Sequence, residues 1–210
     1  MRVCKAILLL GPTGAGKTPL GELLQKNGLR RTKCHHFDFG AQLRKIGSAK
    51  ITPKSLTRSD IAFIKHILND NLLLDDKHFY IAEKILMSFI NNNSVSKSDL
   101  IVLNGMPRHI GQAEKMDSIL KIELVVYISC TARVVYERIR NNAGGDRTGR
   151  IDDTMIDIKN KLKIFRQKTA FLLNHYRALH IPIKTIKVNI RTSAKDVIKL
   201  LSLLPERLRD

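Results

Sequence analysis

The segment of this sequence with the clearest chemistry is the glycine-rich run GPTGAGKT at residues 11–18. It fits the pattern G-x-x-x-x-G-K-[ST], called Walker A, in which backbone N–H groups surround phosphate oxygens. Glycines let the backbone approach the phosphates, the lysine adds a point charge at the β- and γ-phosphates, and the threonine hydroxyl binds Mg²⁺. The predicted nucleotide-binding residues are Gly11, Gly14, Ala15, Gly16, Lys17, Thr18 and Pro19, with Thr18 as the metal ligand.

A second set of residues that could bind a phosphate lies in the middle of the chain, within LNGMPRHIGQA at 103–113. Arg108 follows an apolar run, so it is expected at the carboxyl edge of a sheet, where α/β proteins bind their ligands. A guanidinium group at that edge can hold a phosphate through two parallel hydrogen bonds. Gln112, one turn into the next helix, can read the edge of a nucleotide base.

The elements that position these residues alternate along the chain. Apolar runs typical of strands in a parallel sheet lie at 3–10, 100–103, 124–128 and 183–188, with a shorter candidate near 34–37. The run at 183–188 alternates with lysines, as a partly exposed strand would. Between them, apolar residues recur at helical spacing, as on the face that runs from Ile158 to Tyr176. Strands that alternate with helices predict an α/β fold with a mostly parallel sheet of five strands.

Two segments interrupt this alternation. Residues 42–89 have the pattern of consecutive helices without a strand, which predicts a helical insertion. Residues 141–151, NNAGGDRTGRI, are rich in glycine and basic side chains and almost free of apolar ones, which predicts a mobile loop.

Four segments of the chain, taken together, resemble the adenylate kinase family. They are HFDFGAQLR at 36–44, LNGMPRHIGQA at 103–113, YERIR at 136–140 and GRIDD at 149–153, and the resemblance covers nearly the whole chain. It implies a three-layer P-loop NTPase fold with one nucleoside monophosphate (NMP) kinase domain over residues 1–210. The core would comprise 1–37, 95–140 and 152–210, with a helical NMP-binding insertion at 38–90 and a short lid at 141–151. Short-lid forms include the UMP/CMP kinases.

The resemblance also implies roles for individual residues. Arg44 and Arg108 match the two arginines that the family places on the acceptor phosphate, and Gln112 matches the glutamine at the acceptor adenine. Arg138 resembles the arginine at the ATP base and phosphates, Arg150 resembles the lid arginine, and either Arg140 or Arg147 supplies another contact. The residues implied in catalysis are Lys17, Arg108, Arg138, Arg150 and Lys161. Those implied in acceptor binding are Phe39, Arg44, Leu74, Gly105, Arg108, Gln112, Arg150 and Lys161.

Three positions depart from the family's pattern. Asn104 stands where the family usually has an aspartate that helps to hold the hydration shell of Mg²⁺. Either the neutral amide suffices there or another group serves. Phe39 replaces a threonine with which relatives recognise the acceptor adenine, and Lys161 replaces an arginine, keeping its charge without its bidentate fork.

The resemblance implies the activity of an adenylate kinase, which transfers the γ-phosphoryl group of Mg-ATP reversibly to AMP and gives two ADP. A kinase for UMP, CMP or another nucleoside monophosphate would use the same machinery with a different pocket around Phe39, Leu74 and Gln112. A P-loop ATPase associated with nucleic acid is a lower-ranked alternative that would explain the net charge of +18. Nucleic acid is not expected as a partner, because such a motor ordinarily carries a carboxylate where Asn104 stands. A nucleotide-binding module with weak catalysis is the remaining alternative, suggested by Asn104 and Lys161.

The rest of the sequence bears on location and assembly. No apolar run approaches the roughly 18 residues that span a bilayer, so no membrane segment is expected. Cys4, Cys34 and Cys130 are far apart in sequence, which predicts reduced thiols and a cytoplasmic location. Because no long exposed heptad pattern is present, we expect a monomer whose partners are the nucleotides ATP and AMP.

Overall fold

The computed structural model of the chain describes residues 4–70, 72–148 and 153–202. Five strands form one sheet in the order β2-β3-β1-β4-β5, and all four neighbouring pairs are parallel. The strands are β1 (Cys4–Leu10), β2 (Cys34–Asp38), β3 (Leu100–Asn104), β4 (Leu120–Ser129) and β5 (Ile183–Lys187). The predicted α/β fold with a parallel sheet of five strands is confirmed.

Helices cover both faces of this sheet. They are α1 (Lys17–Asn27), α2 (Phe39–Gly47), α3 (Arg58–Asn69), α4 (Phe79–Asn92), α5 (Ile110–Asp117), α6 (Ala132–Arg140), α7 (Met155–Gln167), α8 (Leu172–Ala178) and α9 (Ala194–Ser202). Successive side chains of a strand point to opposite faces, so Leu8 packs in one core with helices α2 to α5 and α8. Leu9 packs in a second core with α1 and α9. The result is the three-layer arrangement of helices, sheet and helices.

Helices α2, α3 and α4 all lie between β2 and β3 in the chain. Asp60 joins two of them, because its carboxylate accepts hydrogen bonds from the Thr57 N–H at the start of α3 and from the Tyr80 hydroxyl of α4. Lys84, also on α4, lies 3.3 Å from the same carboxylate. The division of the chain into a core, an insertion at 38–90 and a lid at 141–151 stays a prediction.

Two elements differ from the sequence prediction. Strand β4 begins at Leu120 instead of residue 124, because the polar residues Lys121 and Glu123 alternate with buried ones and so broke the apolar run that marked the strand. The continuous face from Ile158 to Tyr176 is buried at both ends as expected but belongs to two helices. Helix α7 ends at Gln167, and a short 3₁₀-helix at Thr169–Phe171 precedes α8. Within the described ranges, no helix has the length and apolar character needed to cross a bilayer.

Candidate active site

Three strands bring the candidate residues to one edge of the sheet. Strand β1 runs into the glycine-rich loop at 11–16, β2 ends at Asp38 and β3 ends at Asn104. In the sheet register Asp38 lies opposite Asn104, and Asn104 lies opposite Leu9 of β1. Because the carboxyl ends of parallel strands meet at one edge, residues far apart in sequence become neighbours there.

The glycine-rich loop leads directly into α1. Gly16 caps the helix with a left-handed backbone at φ 100°, a conformation that favours glycine. A Cβ atom at this position would also lie 3.0 Å from a guanidinium nitrogen of Arg138, so a side chain here would press against that group. No side chain of the described residues caps α1, which leaves its N-terminal N–H groups available to an anion. Pro19 lies in this first turn, where its lack of an N–H removes no intrahelical bond.

Lys17 rests on the loop that precedes it. Its ammonium group donates hydrogen bonds to the carbonyl oxygens of Gly11 and Pro12, both at 2.7 Å. Burial, followed by repulsion from the guanidinium groups of Arg108 and Arg147, lowers the pKa of Lys17 to about 7. Positive groups therefore crowd this site, and an anion bound among them would offset their repulsion.

Thr18, the predicted metal ligand, is hydrogen-bonded within a small polar group. Its hydroxyl donates to Asp38 Oδ2 at 2.8 Å, and the Asn104 side-chain amide donates to the same carboxylate oxygen at 2.9 Å. Asp38 Oδ1 accepts from the N–H of Ala41 and so caps α2. Hydroxyl, carboxylate and amide oxygens are the ligand types that suit Mg²⁺, so this donor set fits the ion. The sequence prediction had given Asp38 no role.

Arg44 and Arg108 line the same cleft as Lys17 and Thr18. Hydrogen bonds fix the backbone of Arg108 on both sides, since its N–H donates to Gln112 Oε1 and its carbonyl accepts from the Thr169 hydroxyl, both at 2.8 Å. Within the described ranges, neither guanidinium group takes part in a hydrogen bond or an ion pair. Two arginines with unused guanidinium donors in one cleft form an arrangement that can bind a phosphate.

Apolar side chains form one wall of this cleft. The wall includes the predicted residues Phe39 and Leu74, and it also contains Leu43, Leu72 and Leu73, which the sequence prediction missed. Gly105, another predicted residue, lines the cleft against the backbone of Gly40. Such a wall can hold the flat face of a nucleotide base.

Gln112 is only 1 % exposed and forms two hydrogen bonds to the backbone. Its amide nitrogen donates to the carbonyl oxygen of Leu74 at 2.8 Å, while its oxygen accepts from the Arg108 N–H. Gln112 therefore positions one residue of the apolar wall relative to the arginine of the cleft. Its role in reading a base edge stays a prediction.

The structure separates the two candidate lid arginines. Arg140 is exposed, whereas Arg147 lies in the cleft, where it donates to both carboxylate oxygens of Asp153 at 2.7 and 2.9 Å. Its other terminal nitrogen donates to the Thr13 hydroxyl of the glycine-rich loop at 3.2 Å. The ammonium group of Lys161 lies 3.8 Å from Asp153, so the same carboxylate brings both cations to the cleft. The predicted lid arginine, Arg150, lies outside the described residues.

Arg138 lies on the other side of the glycine-rich loop, in a second cleft whose lining includes Ala15, Gly16 and Pro19. Its guanidinium donates to the carbonyl oxygen of Gly14 at 3.1 Å and to those of Asn189 and Thr192, both at 2.8 Å. It therefore joins the loop after β1 to the loop after β5. The glycine-rich loop is thus bordered by two clefts, one containing Arg108 and the other containing Arg138.

A parallel sheet in this order, with a glycine-rich loop between its central strand and α1, defines a P-loop protein. No protein-family model matches the chain. Among curated proteins, the adenylate kinase of Prochlorococcus marinus (strain MIT 9303) is 30% identical over 176 residues, which cover 81% of this chain and 84% of that protein. That of Synechococcus sp. (strain CC9311) is 30% identical over 177 residues, with the same coverage of both chains. That of Porphyromonas gingivalis (strain ATCC BAA-308 / W83) is 27% identical over 179 residues, or 81% of each chain. The chain belongs to the adenylate kinase family and is a nucleoside monophosphate kinase, a phosphotransferase.

Proposed function

We propose that this chain transfers the γ-phosphoryl group of Mg-ATP reversibly to AMP and produces two molecules of ADP. One observation carries the proposal: Arg44 and Arg108, without partners among the described residues, line the same cleft as the loop lysine. A kinase for nucleoside monophosphates needs two phosphate sites in one cavity, whereas an ATPase needs only one. The names of the curated relatives support AMP as the acceptor.

On the donor side, the loop N–H groups and the positive end of α1 would hold the β- and γ-phosphates of ATP. Lys17 would exchange its two carbonyl partners for phosphate oxygens, which also compensates the cost of its buried charge. Arg138 and the second cleft would hold the base and ribose of ATP.

On the acceptor side, Arg44 and Arg108 would hold the phosphate of AMP, and the apolar wall around Phe39 and Leu74 would pack against its base. One oxygen of that phosphate then attacks the γ-phosphorus in line, and the bond from the γ-phosphorus to the bridging oxygen of ADP breaks. No nucleophilic side chain is needed, because positioning and charge neutralisation supply the catalysis. Lys17, Arg147, Arg150 and Lys161 would surround the transferring group, with a lid at 141–151 that closes over it and excludes water.

Bound Mg²⁺ would neutralise charge on the β- and γ-phosphate oxygens of ATP. Among the described residues, Thr18, Asp38 and Asn104 are those that would hold it. Thr18 presents its hydroxyl at the start of α1, and Asn104 keeps that hydroxyl in place through a contact of 3.2 Å.

A UMP/CMP kinase is the second candidate, and Phe39 is the observation that favours it. The buried Phe39 ring offers no hydrogen bond to a base, so it cannot make the contact with adenine that the resemblance implies for a threonine at this position. A coupled assay of ADP formation from Mg-ATP with AMP, CMP, UMP, GMP or dTMP separates the candidates. Rapid turnover with AMP alone supports adenylate kinase, and preference for a pyrimidine moves the chain to the UMP/CMP kinases. Absence of turnover with all five would contradict both.

A further inference from the structure

Near Thr18, the carboxylate at the edge of the sheet belongs to β2, not to β3, the strand beside β1. P-loop NTPases hold Mg²⁺ between the loop serine or threonine and an aspartate at the end of a neighbouring strand. Here β3, the strand beside β1, ends in the neutral Asn104. The next strand, β2, ends in Asp38, which lies opposite Asn104 in the register. The negative charge is therefore present at the same level of the sheet, one strand further from the loop.

We infer that Asp38 supplies the carboxylate that positions Mg²⁺ beside Thr18, in place of a carboxylate at residue 104. Its Oδ2 atom lies 2.8 Å from the Thr18 hydroxyl and 2.9 Å from the Asn104 amide nitrogen. No other carboxylate within the described ranges forms a hydrogen bond with Thr18. This inference rests on the proposed function, because it concerns the metal that accompanies the nucleotide.

The chemistry of Mg²⁺ suits this arrangement. The ion keeps several waters in protein sites and is bound by one or two carboxylates together with substrate phosphates. The helix-capping bond from Ala41 to Oδ1 fixes the orientation of the Asp38 carboxylate and leaves Oδ2 towards Thr18. Asp146 also lines the cleft, but its carboxylate lies 3.7 Å from the Arg147 guanidinium on the lid side.

Capping α2 is the competing role for Asp38, and conservative variants separate the two roles. Asparagine and serine cap helices about as well as aspartate, so Asp38→Asn and Asp38→Ser should both preserve α2. Neither side chain carries the negative charge that a divalent cation requires. The double variant Asp38→Asn with Asn104→Asp restores one carboxylate on the neighbouring strand.

The test is isothermal titration of the whole protein with ATP, once with excess EDTA and once with Mg²⁺. The ratio of the two affinities measures how strongly the bound nucleotide and the metal favour each other. We expect both single variants to bind metal-free ATP at least as tightly as the wild type and to lower this ratio about tenfold or more. The double variant should recover most of the loss. The control Asp70→Asn, which removes an exposed carboxylate at the end of α3, should leave the ratio unchanged.

The outcomes distinguish the two proposals. A ratio within about twofold of the wild type in both single variants, with ATP binding intact, would overturn the assignment of Asp38 and leave the proposed function standing. A lowered ratio in the single variants that the double variant does not recover would also overturn the assignment of Asp38. The missing negative charge would then not be the cause of the lowered ratio. A wild-type protein that does not bind ATP would overturn the proposed function and this inference with it.

Discussion

Replacing Asp60 with asparagine should destabilise the protein, because this carboxylate joins α3 to α4. Asp60 is 3 % exposed, and it accepts hydrogen bonds from the Thr57 N–H, the Tyr80 hydroxyl and the Lys84 ammonium group. An asparagine at this position keeps one oxygen but turns an NH₂ group towards donors. One or two of these bonds would therefore be lost inside the protein.

The size of the effect follows from the pKa of Asp60. Burial alone would raise this pKa, but the hydrogen bonds from Thr57, Tyr80 and Lys84 outweigh burial and lower it from 3.8 to about 2. The difference of about 1.8 pH units, at about 1.4 kcal/mol each, corresponds to about 2.5 kcal/mol of stability. Because the folded-state pKa is the lower one, this contribution is complete well above pH 3.8 and is lost as the pH falls through about 2. Near pH 3 about half of it remains.

Urea unfolding followed by circular dichroism measures this contribution. At pH 7 we expect Asp60→Asn to lower the free energy of unfolding by about 2 kcal/mol with an unchanged m-value, and by about half as much near pH 3. The exposed residue Asp70, paired with His66 at 3.0 Å, provides the matched control. Asp70→Asn should cost less than about 0.5 kcal/mol. A loss below about 0.5 kcal/mol for Asp60→Asn at pH 7, or one that is equal at both pH values, would refute the reasoning.

Three further substitutions address the candidate active site. Lys17→Met should lower kcat by about a thousandfold with an unchanged circular dichroism spectrum, and near-normal turnover would contradict the assignment of the loop. Arg108→Lys keeps the charge but loses the bidentate fork, so kcat/KM for AMP should fall about a hundredfold while KM for ATP stays constant. A comparable rise in KM for ATP would contradict the assignment of Arg108 to the acceptor phosphate. Arg147→Gln should lower kcat/KM for ATP at least tenfold, because Arg147 contacts the glycine-rich loop. The control Arg140→Gln, at an exposed residue, should change kcat/KM for ATP less than about twofold. Equal effects of the two substitutions would contradict the assignment of Arg147 to the ATP site.

The sequence determined the class of fold because its signals are local. A strand buried on both faces needs a continuous apolar run, and such runs located β1 and β3 within one residue. Strand β5 was located by isoleucines that alternate with lysines, the pattern of a partly exposed strand. The sequence prediction placed the start of β4 too late, because polar residues interrupt the apolar run there. It predicted one helical face across α7 and α8, because the helical spacing of apolar residues continues through the break between them. The order of the strands depends on contacts between distant segments, so no local sequence pattern predicts it.

The sequence also predicted phosphate binding by the loop at 11–18, because that chemistry requires particular residue types at fixed spacing. It named Arg44 and Arg108 from the family's motifs, and the structure places both along the cleft. It left open whether Arg140 or Arg147 supplies a contact, because spacing in the sequence does not fix which side chain points towards the glycine-rich loop.

Tertiary structure alone decided the contacts that join separate segments. Asp38 becomes a neighbour of Thr18 only because β2 and β3 pair in a particular register, and Gln112 reaches Leu74 only because α5 packs against the segment before α4. Arg138 joins the loop at Gly14 to the loop at Asn189, about 175 residues further along the chain. Asp153 brings Arg147 and Lys161 together. A sequence specifies which groups are available, but hydrogen bonds and ion pairs act over about 3 to 4 Å. Only the packed fold brings those groups within that distance.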